Sequence, residues 1–193
     1  MPSIHVLNKM YQNNGQLKFN DVGEKWGFSQ PSFSNGAAYG DLDNDGDLDL
    51  IVNNVNQPSF IYENNTNKQK NFISISLKST DKNRYAIGSK ITLIANSKIC
   101  VKEIMPSRGF QSSMDYKQVF GLDTLKKIDT IKVDWHDGKQ SIILNTKVNS
   151  FLEITNAKSN TPVLNDKKSE PYFKLMNQSF SKHTENINYK DFH

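Results

Sequence analysis

Between Asp41 and Asp49 the chain reads DLDNDGDLD, five aspartates in nine positions, and continues directly into Leu50, Ile51 and Val52. In a protein of net charge +4, such crowding of like charge disfavours a compact loop unless a cation sits among the carboxylates. Written as D-x-D-x-D-G-x-x-D, the stretch offers the carboxylates of Asp41, Asp43, Asp45 and Asp49, and Gly46 permits a sharp turn that gathers alternate side chains around one point. Hard oxygen ligands converging in this way suit a calcium ion, with the main-chain carbonyl of Asp47 and water completing the roughly six to eight oxygens it accepts. Magnesium fits less well, because it demands a tighter octahedron, and zinc poorly, because no histidine or cysteine lies near the loop.

What flanks the loop decides which kind of loop it is. An EF-hand needs a glutamate at its twelfth position; counted from Asp41 that position is Val52, and the flanks have strand rather than helix character. Leu48, Leu50 and Val52 alternate, so the loop is expected to feed a half-buried β-strand. The alternative is an exposed acidic turn without an ion, which leaves five like charges uncompensated.

Other chemistry is sparsely signalled. The sequence holds no G-x-S-x-G, H-E-x-x-H, G-x-x-x-x-G-K-[ST] or G-x-G-x-x-G motif, which removes the common hydrolase, zinc-protease and nucleotide signatures. The four histidines, His5, His136, His183 and His193, are scattered; His136, between Asp134 and Asp137, reads as a surface turn residue or a titrating or metal-binding one. A carboxylate pair leaves little trace in sequence, and Glu103, Asp115 and Asp134 are the loose candidates for one. Arg108 suits either an anionic ligand or a structural hydrogen bond. All but two of the 24 cationic side chains are lysines, the exceptions being Arg84 and Arg108, and they form no long cluster, so no nucleic-acid partner is expected. Cys100 is alone, which excludes an intrachain disulfide and suggests a buried thiol. No segment approaches the roughly 20 apolar residues of a spanning helix, and the first residues, MPSIHVLNKMYQNN, lack a signal peptide's pattern. A chain beginning within a longer protein would lack one too.

The positioning elements read as strands. Runs of β-branched and aromatic residues recur at 17–22, 48–53, 59–63, 72–77, 90–94, 99–105, 130–135, 140–144 and 151–154, separated by turns such as Asn13-Asn14-Gly15 and Asp137-Gly138. Helical character is confined to a turn near 21–26 and the segment 122–128. The fold class is therefore all-β. Polar stretches at 64–70 and 157–170 suggest three parts: 1–70, 71–157 and 158–193. In the middle part, Phe72, Ile73, Ile75, Leu77, Ile91, Leu93, Ile131, Val133, Trp135, Ile142, Leu144, Leu152 and Ile154 are expected to form the core of a compact antiparallel β-sandwich or barrel-like domain. Gly88, Gly109, Gly121 and Gly138 read as turns and bulges.

Two resemblances follow from these residues. NNGQLKFNDVGEKWGF, then AAYGDLDNDGDLDLIV and IYENN, resemble an FG-GAP or VCBS repeat, the unit of integrin-type β-propeller blades, over about residues 7–65. The resemblance implies partial propeller blades, calcium ligation by the side chains of Asp41, Asp43, Asp45 and Asp49, and ligation by the main chain of Asp47. RYAIG from Arg84, SRGFQS from Ser107, FGL from Phe120, VDWHDG from Val133 and LEI from Leu152 are similar, over 71–156, to the ASPIC/UnbV domain, which follows such repeats in secreted and surface proteins. His136 stands where that family usually has proline, and Asp137-Gly138 keeps the hairpin turn. Residues 180–192 resemble the lead-in to a further repeat block, so the chain is expected to be a fragment of a larger secreted or surface protein.

The resulting expectation is a non-catalytic, calcium-binding, extracytoplasmic module for adhesion or for binding a protein or glycan. Its partners would include neighbouring repeats of the parent chain, without direct membrane insertion, and its Ca2+ would be structural. The competing expectation is an accessory or catalytic part of a polysaccharide-active hydrolase.

Overall fold

The computed structural model describes residues 4–65, 70–159 and 161–162. The expectations for a linker and a further repeat block within 158–193 lie largely outside the described residues. Among these, all regular structure is β apart from two short 3₁₀ turns, Glu24–Trp26 and Asn156–Lys158. No helix there is long and apolar enough to cross a membrane.

The first part contains β1 (Val6–Leu7), β2 (Tyr11–Asn13), β3 (Phe19–Asp21), β4 (Pro31–Ser32), β5 (Ser34–Gly40), β6 (Asp49–Asn54) and β7 (Phe60–Tyr62). β5, β6 and β7 form an antiparallel three-stranded sheet; β1 pairs with β4 and β2 with β3 in two small ribbons. These sheets are open, as partial propeller blades would be. The 3₁₀ turn at Glu24–Trp26 realises the helical character expected near 21–26.

The second part is a two-layer sandwich. It comprises β8 (Asn71–Lys78), β9 (Lys90–Ala95), β10 (Lys98–Glu103), β11 (Gln118–Asp123), β12 (Lys127–Asp134), β13 (Lys139–Lys147), β14 (Ser150–Thr155) and the short β15 (Thr161–Pro162). One sheet runs β10-β9-β12-β13-β15 and the other β11-β8-β14. Alternate residues of each point inward: Ile73, Ile75 and Leu77 from β8 meet Ile91 and Leu93 from β9 and Ile131 and Val133 from β12 in one cluster. Each such fully buried aliphatic side chain contributes about 1.5–3 kcal/mol. Trp135, 3% exposed, closes one end and donates its indole N–H to Ser141 Oγ at 2.9 Å. The two-residue loop Asn96-Ser97 has positive φ at both positions, the twist that suits the right-handed β9–β10 hairpin.

Five expectations are corrected, that for Phe72 together with the aspartate loop below. The second part is not wholly antiparallel: β14 runs parallel to β8, Leu152 lying beside Ile75, because β14 enters the opposite sheet from β13 and occupies the free edge of β8. Ile142 and Leu144 are 57% and 62% exposed; they pair with Lys132 and Thr130 on the outer face, and Ile143 turns to the core instead, the parity change that a one-residue difference produces. Cys100 is exposed, since β10 is an edge strand, and its neighbours Ile99 and Val101 are exposed with it. The segment 122–128 is not helical: Leu122 belongs to β11, a tight turn carries Leu125 N–H to Leu122 C=O at 3.0 Å, and β12 begins at Lys127. The bulge expected at Gly121 is present as a register shift of β11 on β8.

Candidate metal centre

Residues 41–48 connect two strands already paired with each other. Gly40 lies opposite Asp49 in the β5–β6 ladder, so both ends of the loop are fixed and its eight residues must fold back on themselves. Asn44 and Gly46 do this at φ of 61° and 93°, left-handed conformations that asparagine tolerates and glycine adopts freely. Asp43 Oδ1 accepts the N–H of Asp45 at 3.2 Å, and Asp45 Oδ1 accepts that of Asp47 at 3.0 Å. These local turns bring successive alternate carboxylates to the same side.

Asp41, Asp43 and Asp45 converge: each offers a carboxylate oxygen, and the three lie within 4.8 Å of one another. Oxygens bound to a single calcium at about 2.4 Å can be at most about 4.8 Å apart, so the spread fits one ion. The Asp41 side chain is fully buried, and its Oδ2 makes no hydrogen bond. A buried carboxylate oxygen without a hydrogen bond is costly unless a cation stands beside it, and Lys117 Nζ, 3.6 Å away, offsets that cost only in part. All donors are hard oxygens, which fits calcium and not zinc.

Asp49 is set apart from this trio. Its Oδ2 accepts the N–H of Leu42 and its Oδ1 the N–H of Asn64, both at 2.9 Å, so the buried carboxylate ties the start of the loop to the chain beyond β7. Asp49, expected as a ligand, is not among the carboxylates that converge here, although each of its oxygens keeps a second lone pair after such a bond. Asp47 lies on the margin. Burial first, then repulsion from Asp45, Asp49, Asp43 and Asp41, pushes its carboxyl up to about 6, and its Oδ1 is buried without a hydrogen-bond partner.

Among the described residues of the sandwich, Lys117 and Phe72 touch this loop, and sequence reading missed the first and misplaced the second. Lys117 Nζ stands 3.6 Å from Asp41 Oδ2 and donates to Asn44 Oδ1 at 3.1 Å. Phe72, expected in the core, instead lies on the opposite face of β8 from Ile73 and Ile75 and packs against Gly46. An ion pair spanning 76 positions has no periodic or motif signal.

The remaining candidates are accounted for structurally. Arg108 Nη1 donates to the Tyr39 hydroxyl at 3.0 Å. Asp134 pairs with Lys132 at 3.2 Å and accepts from Gln140 at 2.7 Å. Glu103 and Asp115 border a cavity of about 20 Å³, room for a water molecule and not for a sugar ring.

His136 has a Ser-His-Asp arrangement around it. Its Nε2 is 2.9 Å from Asp81 Oδ2 and its Nδ1 is 3.2 Å from Ser89 Oγ. Ser89 is wholly buried, and its oxygen also accepts the His136 backbone N–H at 3.0 Å. With a hydroxyl so enclosed, the chain of bonds pins the hairpin turn to the loop after β8 and presents no nucleophile.

A groove of about 380 Å³ opens beside β5 and β6, with Met10, Phe28, Leu50, Val52 and Phe110 among its lining residues.

Comparison with known families places these features. No curated protein matches the chain. Residues 7–52 match the family model of the FG-GAP-like repeat, a type of module typically found in extracellular proteins, and residues 79–161 match that of ASPIC and UnbV. The first match ends within β6 and the second begins after β8, so the strand carrying Phe72 lies between them. The chain thus matches an FG-GAP-like repeat followed by an ASPIC and UnbV domain, in the order its motifs indicate.

Proposed function

We propose that this chain is a non-catalytic, calcium-braced extracytoplasmic module of a larger surface protein, serving adhesion or the binding of a protein or glycan. The approach of one carboxylate oxygen each from Asp41, Asp43 and Asp45 to within 4.8 Å of one another, with Oδ2 of the buried Asp41 accepting no hydrogen bond, carries the reading. The three carboxylates, with Asp49 and the Asp47 carbonyl, would hold the ion, and the ion would neutralise a loop that otherwise repels itself. The type of repeat matched supports the extracytoplasmic location.

Calcium here is structural. Extracellular modules bind it with dissociation constants on the order of 10⁻⁴–10⁻³ M, and at about 2 mM free calcium linkage gives roughly 0.7–1.8 kcal/mol of stabilisation. The apolar groove along β5 and β6 suits a neighbouring repeat of the parent chain as the adjoining partner.

Thermal melts in calcium and in excess chelator test the reading. The parent melts higher with calcium, and a double Asp43→Ala, Asp45→Ala variant melts at one temperature in both. A parent indifferent to calcium overturns the proposal.

A further inference from the structure

The aspartate loop is gripped by the neighbouring sandwich. Between β10 and β11, residues 106–117 run along β5: a β-carbon on Gly36 would lie 3.0 Å from Ser112 Oγ and 3.2 Å from Phe110 C=O. The Tyr39 N–H donates to Met114 Sδ at 3.3 Å, and Arg108 holds the Tyr39 hydroxyl. At the end of this strap, the Lys117 ammonium reaches Asn44 and Asp41, with the Phe151 ring centroid 5.7 Å away. The Lys117 side chain is 19% exposed and that of Asp41 not at all. Among the described residues, no other lysine or arginine forms an ion pair with a carboxylate of the loop.

We propose that Lys117 is a built-in counter-cation of the aspartate loop and competes with the bound metal for the Asp41 carboxylate. This rests on the calcium reading above and adds a control to it. The ammonium partly offsets the loop's charge when the ion is away and repels the ion when it arrives. By thermodynamic reciprocity, the ion weakens the hold of Lys117 as much as Lys117 weakens the hold of the ion. Even with water-like screening, a unit charge about 5 Å from a divalent cation changes its affinity on the order of tenfold. The calcium response of the repeat is thereby set by a residue of the following domain.

The test is calcium titration by calorimetry on the full chain as parent, Lys117→Met and Lys117→Arg, at low and high ionic strength. Methionine retains an apolar stem beside Phe151 and removes the charge; arginine retains the charge. The expected result is about tenfold tighter binding by Lys117→Met at low salt, a smaller difference at high salt, and parent-like binding by Lys117→Arg. Equal or weaker binding by Lys117→Met, with the parent still binding, overturns the competition alone. Absence of binding in all three proteins overturns the calcium reading and the competition together.

Discussion

The ring of Phe72 occupies the space that a side chain on Gly46 would need: a β-carbon there would lie 2.2 Å from Cδ1 and 2.3 Å from Cε1 of the ring. Gly46 is the tight turn of the aspartate loop, and Phe72 belongs to β8 of the sandwich, where it also meets Phe151 edge-on at 5.6 Å. The loop's curvature is therefore completed by the domain that follows it. With Lys117 on Asp41, two contacts from one domain shape the candidate metal site of the other.

Gly46→Ala is accordingly expected to destabilise the chain by about 2–4 kcal/mol, combining a left-handed φ with overpacking against the ring. Urea unfolding measures the loss. Adding Phe72→Ala relieves the steric part, so the double variant falls short of the sum of the two single losses; strict additivity would contradict the contact.

The bond from His136 holds the Asp81 carboxyl below the usual carboxylate range, aided by Ser79 and the Asn83 N–H. Because the folded value is depressed, the associated stability is present above the unfolded value of about 4 and is lost as pH falls through the depressed one. Melting temperatures from pH 5 down to pH 2 should therefore fall less steeply for Asp81→Asn than for the parent. Superimposable acid limbs would contradict the pairing.

Cys100 lies exposed on the edge strand β10. An aromatic disulfide reagent is expected to modify the native protein without denaturant, with about one thiol reacting per chain. Reaction only after unfolding would place the residue in the interior instead.

The aspartate loop was legible because its chemistry is local: the alternating carboxylates and Gly46 are adjacent in sequence, and the β-strand after them shows its period. The inward residues of β8, β9 and β12 were legible for the same reason. The parity of Ile142 and Ile143 was not, because a run of three apolar residues, Ile142-Ile143-Leu144, fits either face of a strand. The exposure of Cys100 was hidden because an edge strand and a central strand have similar composition. The parallel pairing of β14 with β8 and the reach of Lys117 to Asp41 depend on how the sheets stack, and neither leaves a pattern within one segment.

Calorimetric titration of calcium into the chelator-stripped chain, beside the Asp43→Ala, Asp45→Ala variant, addresses the central claim most directly. Saturable uptake of about one ion by the parent, absent in the variant, is the expected result. A parent that takes up no calcium at several millimolar, while folded by circular dichroism, would contradict it.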